Sequence, residues 1–168
     1  MLIRDARQDD IPGILAIYND AVANTTAIWN ETEVDAANRS AWMQERQRAG
    51  LPVLVAHGDG QVLGYASYGP WRPFEGYRHT VEHSVYVLRG RRGGGIGKSL
   101  MLELIARART QGLHAMVAGI EAGNEASLRL HRSLGFESAG VLREVGTKFG
   151  KWLDLAFLSL ILETPGQD

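Results

Sequence analysis

The run Arg92-Gly93-Gly94-Gly95-Ile96-Gly97-Lys98 carries the strongest chemical signal in this sequence. Glycines free the backbone so that successive N–H groups can turn toward one anion, and Arg92 and Lys98 add positive charge. Three phosphate-binding patterns compete for it. A P-loop needs glycine five places before the glycine of Gly97-Lys98-Ser99, and that place is Arg92. A dinucleotide fingerprint needs glycine at Lys98, or glycine or alanine at Leu100. Both absences matter, because the closing glycine is what allows close approach. Arg-x-x-Gly-x-Gly fits, at Arg92, Gly95 and Gly97, as a pyrophosphate cradle on a helix N-terminus. A functionless loop is the alternative, disfavoured by the strand pattern before the run and the amphipathic helix pattern after it.

Other chemistry is thinner. Residues 70–79 (Pro-Trp-Arg-Pro-Phe-Glu-Gly-Tyr-Arg-His) form an arginine- and aromatic-rich segment too polar for a core. His79 and His83 fall on one strand face with no third ligand in suitable spacing, so no metal site is expected. No Gly-x-Ser-x-Gly elbow occurs, and with no cysteine there is neither a disulfide nor a thiolate nucleophile.

The elements that must position these residues read as α/β. Leu2-Ile3-Arg4 is a short strand. Asp9 and Asp10 cap a helix with Pro12 in its first turn and Ile11, Ile14, Leu15, Tyr18 and Val22 at helical spacing. A second helix covers about 35–49 and stops at Gly50. The strands 52–56 and 62–68 flank Gly58-Asp59-Gly60, a hairpin signal. Thr80–Val87 is a strand, the glycine run follows, and a helix over about 98–111 carries Leu100, Met101, Leu104, Ile105 and Ala108 on one stripe. Strand 115–120, a short helix 125–134 closed by Gly135, and strands near 137–148 and 152–162 complete a mixed sheet.

A chain of 168 residues fits one domain over 1–168, with a short polar tail at 163–168. The net charge of −1 gives no electrostatic footprint for nucleic acid. No apolar run approaches the roughly 20 residues that span a bilayer, so no membrane partner is expected. Asp5, Arg7, Asp9 and Asp10 interrupt any signal-peptide core, which makes the cytoplasm the expected compartment.

Val81–Val87, Arg92-x-x-Gly95-x-Gly97 and Asn124-x-x-Ser127-x-x-x-His131-x-x-Leu134-Gly135-Phe136 resemble the two core motifs of the GNAT N-acetyltransferase superfamily. The segments 26–29, 80–87 and 145–154 are similar to those of the phosphinothricin and methionine sulfoximine N-acetyltransferases. The resemblance runs from Ile3 to Leu162. It implies a strongly twisted mixed sheet, flanked by helices and splayed in the middle, after the Glu82–Val87 strand. Acetyl-CoA would lie in that gap, its pantetheine arm on the backbone of Val85, Tyr86 and Val87. Its pyrophosphate would sit on the amides of Gly93, Gly94, Gly95, Ile96, Gly97 and Lys98, beside Arg92. Asn124 and Ser133 match positions that touch the coenzyme, and the resemblance also implies a homodimer. Many members carry tyrosine, which the resemblance assigns as proton donor to the leaving thiolate, where this chain has His131. The general acid is therefore His131 or water.

Attack of a neutral amine on a thioester needs a proton acceptor and an oxyanion donor. Glu82 is the candidate acceptor, because strand alternation puts it on one face with Ser84 and Tyr86. A backbone N–H near Val87 is the candidate oxyanion donor, a group typically worth about 3 kcal/mol. A small amino-acid substrate brings a carboxylate, which arginine forks match at Arg72 and Arg78. Trp29, Phe74, Tyr77 and Trp152 are candidate walls, and Glu75-Gly76 completes the loop. The expected reaction is acetylation of the α-amino group of methionine sulfoximine or sulfone, with phosphinothricin weaker. The rivals are another small amine, a protein N-terminus, or an acyl-CoA-binding sensor without catalysis.

Overall fold

Seven strands form one mixed sheet in the order β1-β2-β3-β4-β5-β7-β6 in this computed structural model, which describes residues 1–162. They are β1 (Leu2–Asp5), β2 (Val53–Gly58), β3 (Gln61–Pro70), β4 (Thr80–Val87), β5 (Ala115–Glu121), β6 (Glu137–Lys148) and β7 (Lys151–Ile161). Four α-helices accompany them: α1 (Ile11–Asn24), α2 (Ala36–Arg48), α3 (Ile96–Thr110) and α4 (Glu125–Ser133). The expected α/β domain is found. The tail at 163–168 lies outside the described residues.

Helices cover both faces, so the central strands read as near-continuous apolar runs. Along β2, Val53 and Val55 face Ile14, Ile17 and Met43 of α1 and α2, whereas Leu54 and Ala56 join Leu100, Met101 and Leu104 of α3. Asp10 stands at the start of α1 but caps nothing there. Its carboxylate turns back to the Arg4 guanidinium at 2.7 Å and to the Arg7 N–H at 2.7 Å, tying the helix entry to β1 instead. The helix α3 begins at Ile96, two residues before the apolar stripe suggests, because Gly95 in a left-handed conformation (φ 80°) turns the chain into it.

The decisive feature is a failure of pairing. From Val81 to Val87, β4 pairs antiparallel with β3, but it pairs in parallel with β5 only over Thr80–Glu82. Beyond Val117, β5 stays with β7 as far as Glu121. The sheet therefore opens at His83, inside β4, leaving Ser84–Val87 and Gly119–Glu121 on opposite sides of a gap.

Candidate active site

That gap is a slot of about 100 Å³. Ser84–Tyr86 of β4 form one wall, Gly119–Glu121 of β5 the other, and Asn124, Ser127 and His131 of α4 close an end. A wider cleft of about 450 Å³ lies beside Glu121, Arg143, Trp152 and Asp154, but no residue of the glycine run reaches it. Volume does not select the site here; the open strand edge does.

Gly93 (φ 82°) and Gly95 (φ 80°) adopt backbone angles that other residues rarely take, and no atom lies within 4 Å of where a Cβ would stand at either. The first-turn amides of α3, at Ile96, Gly97 and Lys98, have no intrahelical partner. Arg89 and Arg91 pair with Asp20 and Asp59, whereas Arg92 and Lys98 make no ion pair among the described residues. The loop thus offers amides, a helix dipole and two uncommitted cations to one anion. At Gly97 a Cβ would make only ordinary contact with Leu130 Cδ2 at 3.4 Å and Val87 Cγ2 at 3.5 Å, so the packing of α3 on its neighbours does not itself demand glycine there.

Glu82 is half-buried on the face it shares with Ser84 and Tyr86. Its Oε1 lies 3.0 Å from where a Cβ at Gly119 would stand. Across the strand pair, Gly119 is thus the residue that leaves room for the carboxylate. Sequence reasoning missed it, for nothing in the sequence says what faces Glu82. Burial raises the Glu82 pKa above the ordinary carboxylate value, and the charge of Arg72 offsets part of the rise. A carboxylate with raised proton affinity beside a reaction slot is a competent general base.

His131 is buried, 1% exposed. Its Nδ1 lies 2.7 Å from the Ser127 carbonyl, which can only accept, so the proton sits on Nδ1. Its Nε2 is then a bare lone pair, and His83 Nε2–H, 3.1 Å away, donates to it. The rings stack nearly parallel, with Phe136 edge-on to both. Burial holds both pKa values down, that of His83 to about 3 with help from its neighbour's charge. His83 Nδ1 is left buried and unpartnered. Both rings are neutral at neutral pH, and in this arrangement His131 turns no N–H toward the slot. The sequence offered His83 only as half of a metal pair, and no cluster able to hold a metal occurs among the described residues.

The expected substrate residues are only partly assembled. Arg72 stacks over Trp71, whose ring meets Phe157 edge-on beside Gly119, so this arginine stands near Glu82. Phe74, Glu75, Gly76, Tyr77 and Arg78 form an exposed 3-10 turn that contributes nothing to the slot lining. One N–H of the Arg78 guanidinium donates to the Glu75 carbonyl at 3.0 Å. Trp29 is half-buried against Gly146, and Trp152 is 69% exposed at the wider cleft. Asn124 lines the slot while capping α4 through the Ser127 N–H, and Ser133 donates to the Leu130 carbonyl at the far end of that helix.

Residues 14–136 match the family model described as the acetyltransferase (GNAT) family. An L-methionine sulfoximine/L-methionine sulfone acetyltransferase of Pseudomonas aeruginosa is 65% identical over 96% of this chain and 94% of that protein. A phosphinothricin N-acetyltransferase of Alcaligenes faecalis is 43% identical over 93% of this chain and 80% of that protein. Among solved structures, an acetyltransferase of Salmonella typhimurium with its cofactor acetyl-CoA superposes with a TM-score of 0.94 at 53% identity, covering 96% of this chain and 94% of that one.

Proposed function

From membership of the GNAT acetyltransferase family, to which this chain belongs, we propose that it acetylates the α-amino group of L-methionine sulfoximine or L-methionine sulfone. Phosphinothricin would be a weaker acceptor, and the physiological sense is detoxification. The observation that carries the reading is the half-buried Glu82 carboxylate, seated over Gly119 where β4 and β5 part.

Acetyl-CoA fits the opening on this chain's own features: a free strand edge for the pantetheine amides and an open cradle for the pyrophosphate. Glu82, directly or through a water, takes the proton from the incoming ammonium group. The amine nitrogen bonds to the thioester carbon, a β4 amide near Val87 steadies the oxyanion, the nitrogen gives up its second proton to water, and the carbon–sulfur bond breaks to leave the amide. The leaving thiolate takes its proton from water, since the Nδ1 proton of His131 is bound to the Ser127 carbonyl. His131 then serves the site as a fixed neutral wall.

Arg72 takes the acceptor carboxylate in this reading, with Arg78 free to join once its turn rearranges. Glu75 in the same loop disfavours the anionic phosphinate and tolerates the neutral sulfoximine and sulfone. Val141, Leu142, Val145, Phe149 and Trp152 are exposed apolar residues on β6, β7 and their turn. That patch supports a homodimer through this edge. No helix among the described residues is long and apolar enough to cross a membrane, and a cytoplasmic setting belongs to the same reading.

Thiol release with four acceptors tests it. The sulfoximine and sulfone should give the highest kcat/KM, phosphinothricin less, and plain methionine the least. A preference for phosphinothricin would reverse the ranking, and inactivity on all four would point to a different small amine.

A further inference from the structure

Lys148 ends β6 and lies outside residues 14–136, the part of the chain that matches the family model. It is 1% exposed, and no carboxylate pairs with it among the described residues. An ammonium group has three N–H donors. Here all three find backbone carbonyls: Ile28 at 2.5 Å, Thr25 at 2.6 Å and Ala21 at 3.4 Å. None is left for a substrate. Ala21 and Thr25 belong to the end of α1, where the helix dipole favours a cation, although the Ala21 carbonyl also accepts from the N–H and the hydroxyl of Thr25. Ile28 lies beyond it, in the segment 25–35 that joins α1 to α2 without strand or helix of its own.

Two further tethers bind that segment to the same hairpin. The Trp29 indole lies so close to Gly146 that a Cβ at 146 would strike its six-membered ring, and the Phe149 N–H donates to Glu31 at 2.8 Å. The hairpin end is itself rigid, for Phe149 and Gly150 form a two-residue turn at φ 54° and 71° that pairs Lys148 with Lys151. Asn19 fixes the far end of the segment through both polar groups of Val34. Between these anchors the segment brings Ala27 to the mouth of the slot, opposite Ser84–Tyr86.

We propose that Lys148 is the positioning residue of the acceptor side of this site, holding the 25–31 segment, with Ala27 and Trp29, at the distance from β4 that a small amino acid needs. The inference rests on the acetyl-transfer reading above. A lysine that merely capped α1 would have no reason to reach Ile28, past the helix end.

Lys148→Met removes the donors at nearly constant length, and Lys148→Arg replaces a tetrahedral donor set with a planar fork. Both should raise the KM for methionine sulfoximine by roughly ten- to a hundredfold through misplacement of the acceptor, while calorimetric affinity for acetyl-CoA stays unchanged. Hydrogen exchange should quicken in residues 25–31 and stay slow in α3 and β4. Gly146→Ala, which displaces the same segment from the indole side, should give the same split, and the double variant should be no worse than the worse single one. Wild-type acceptor KM in Lys148→Met overturns the proposal, as does a parallel loss of both substrates along with Tm. Where Lys148→Met does not fold, an unchanged acceptor KM in Gly146→Ala overturns it alone. Failure of the underlying reading would appear in the wild type, as no thiol release with the sulfoximine. The exchange experiment would still tell Lys148→Met from wild type.

Discussion

Protonating His83 should cost this fold far more than protonating an exposed histidine. Its ring stacks against His131 and Phe136, its Nε2–H is committed to His131, and its pKa falls from 6.5 to about 3 through burial and the neighbouring ring. The unfolded chain binds this proton near pH 6.5 and the folded chain does not, so stability is present above that value and is lost as pH falls toward 3. At about 1.4 kcal/mol for each tenfold change in proton affinity, about 3 kcal/mol has gone by about pH 4 and about 5 kcal/mol at the limit. His131, also depressed, acts in the same direction; Glu82, raised, acts in the opposite one. Asp10 is held below its ordinary value of 3.8 and contributes only at lower pH. His83→Gln keeps a side-chain donor for His131 and removes the titration. Urea unfolding of both proteins at about pH 8 and about pH 4 isolates the term. Wild type should lose about 3 kcal/mol more than the variant between those two conditions. Equal losses would show that the stacked pair is not neutral in the fold, and the tautomers assigned to it would fall as well.

Gly95→Val should abolish acetyl-CoA binding in a folded protein, because φ 80° suits glycine and the added side chain would occupy the open side of the cradle. Unchanged calorimetric affinity would give the loop another role. Gly119→Ala places a methyl group 3.0 Å from Glu82 Oε1. The carboxylate must shift by a few tenths of an ångström or more, and turnover should fall roughly ten- to a hundredfold with acetyl-CoA affinity intact. Unchanged turnover would mean that Glu82 does not need that seat.

Features set by local periodicity were legible in the sequence. Alternation along residues 80–87 put Glu82, Ser84 and Tyr86 on one face, and the apolar stripe of residues 100–108 announced the helix behind the cradle. What lies opposite a face was not legible, since spacing along one strand carries no information about its neighbour. Gly119 acquires its task only through the short parallel register that sets Glu82 beside Val117. His83 meets His131 across 48 residues of sequence, between a strand and a helix. Lys148 entered the reading only within a segment that resembles relatives, because a buried lysine with three carbonyl partners leaves no local pattern. The 70–79 segment was legible as an arginine- and aromatic-rich loop but not as an arrangement, for most of these residues sit in solvent around a short turn.

The pH–rate profile of Glu82→Gln is the most direct test of the site. If Glu82 takes the ammonium proton, the variant should turn over about 10²- to 10⁴-fold more slowly near neutral pH. The rising limb that Glu82 gives the wild type, displaced above the ordinary carboxylate range by burial, should vanish. The deficit should shrink at high pH, where the amine arrives already deprotonated. A variant with near-wild-type rates and an unchanged profile would contradict the account, and would reduce Glu82 to a buried carboxylate that Gly119 happens to accommodate.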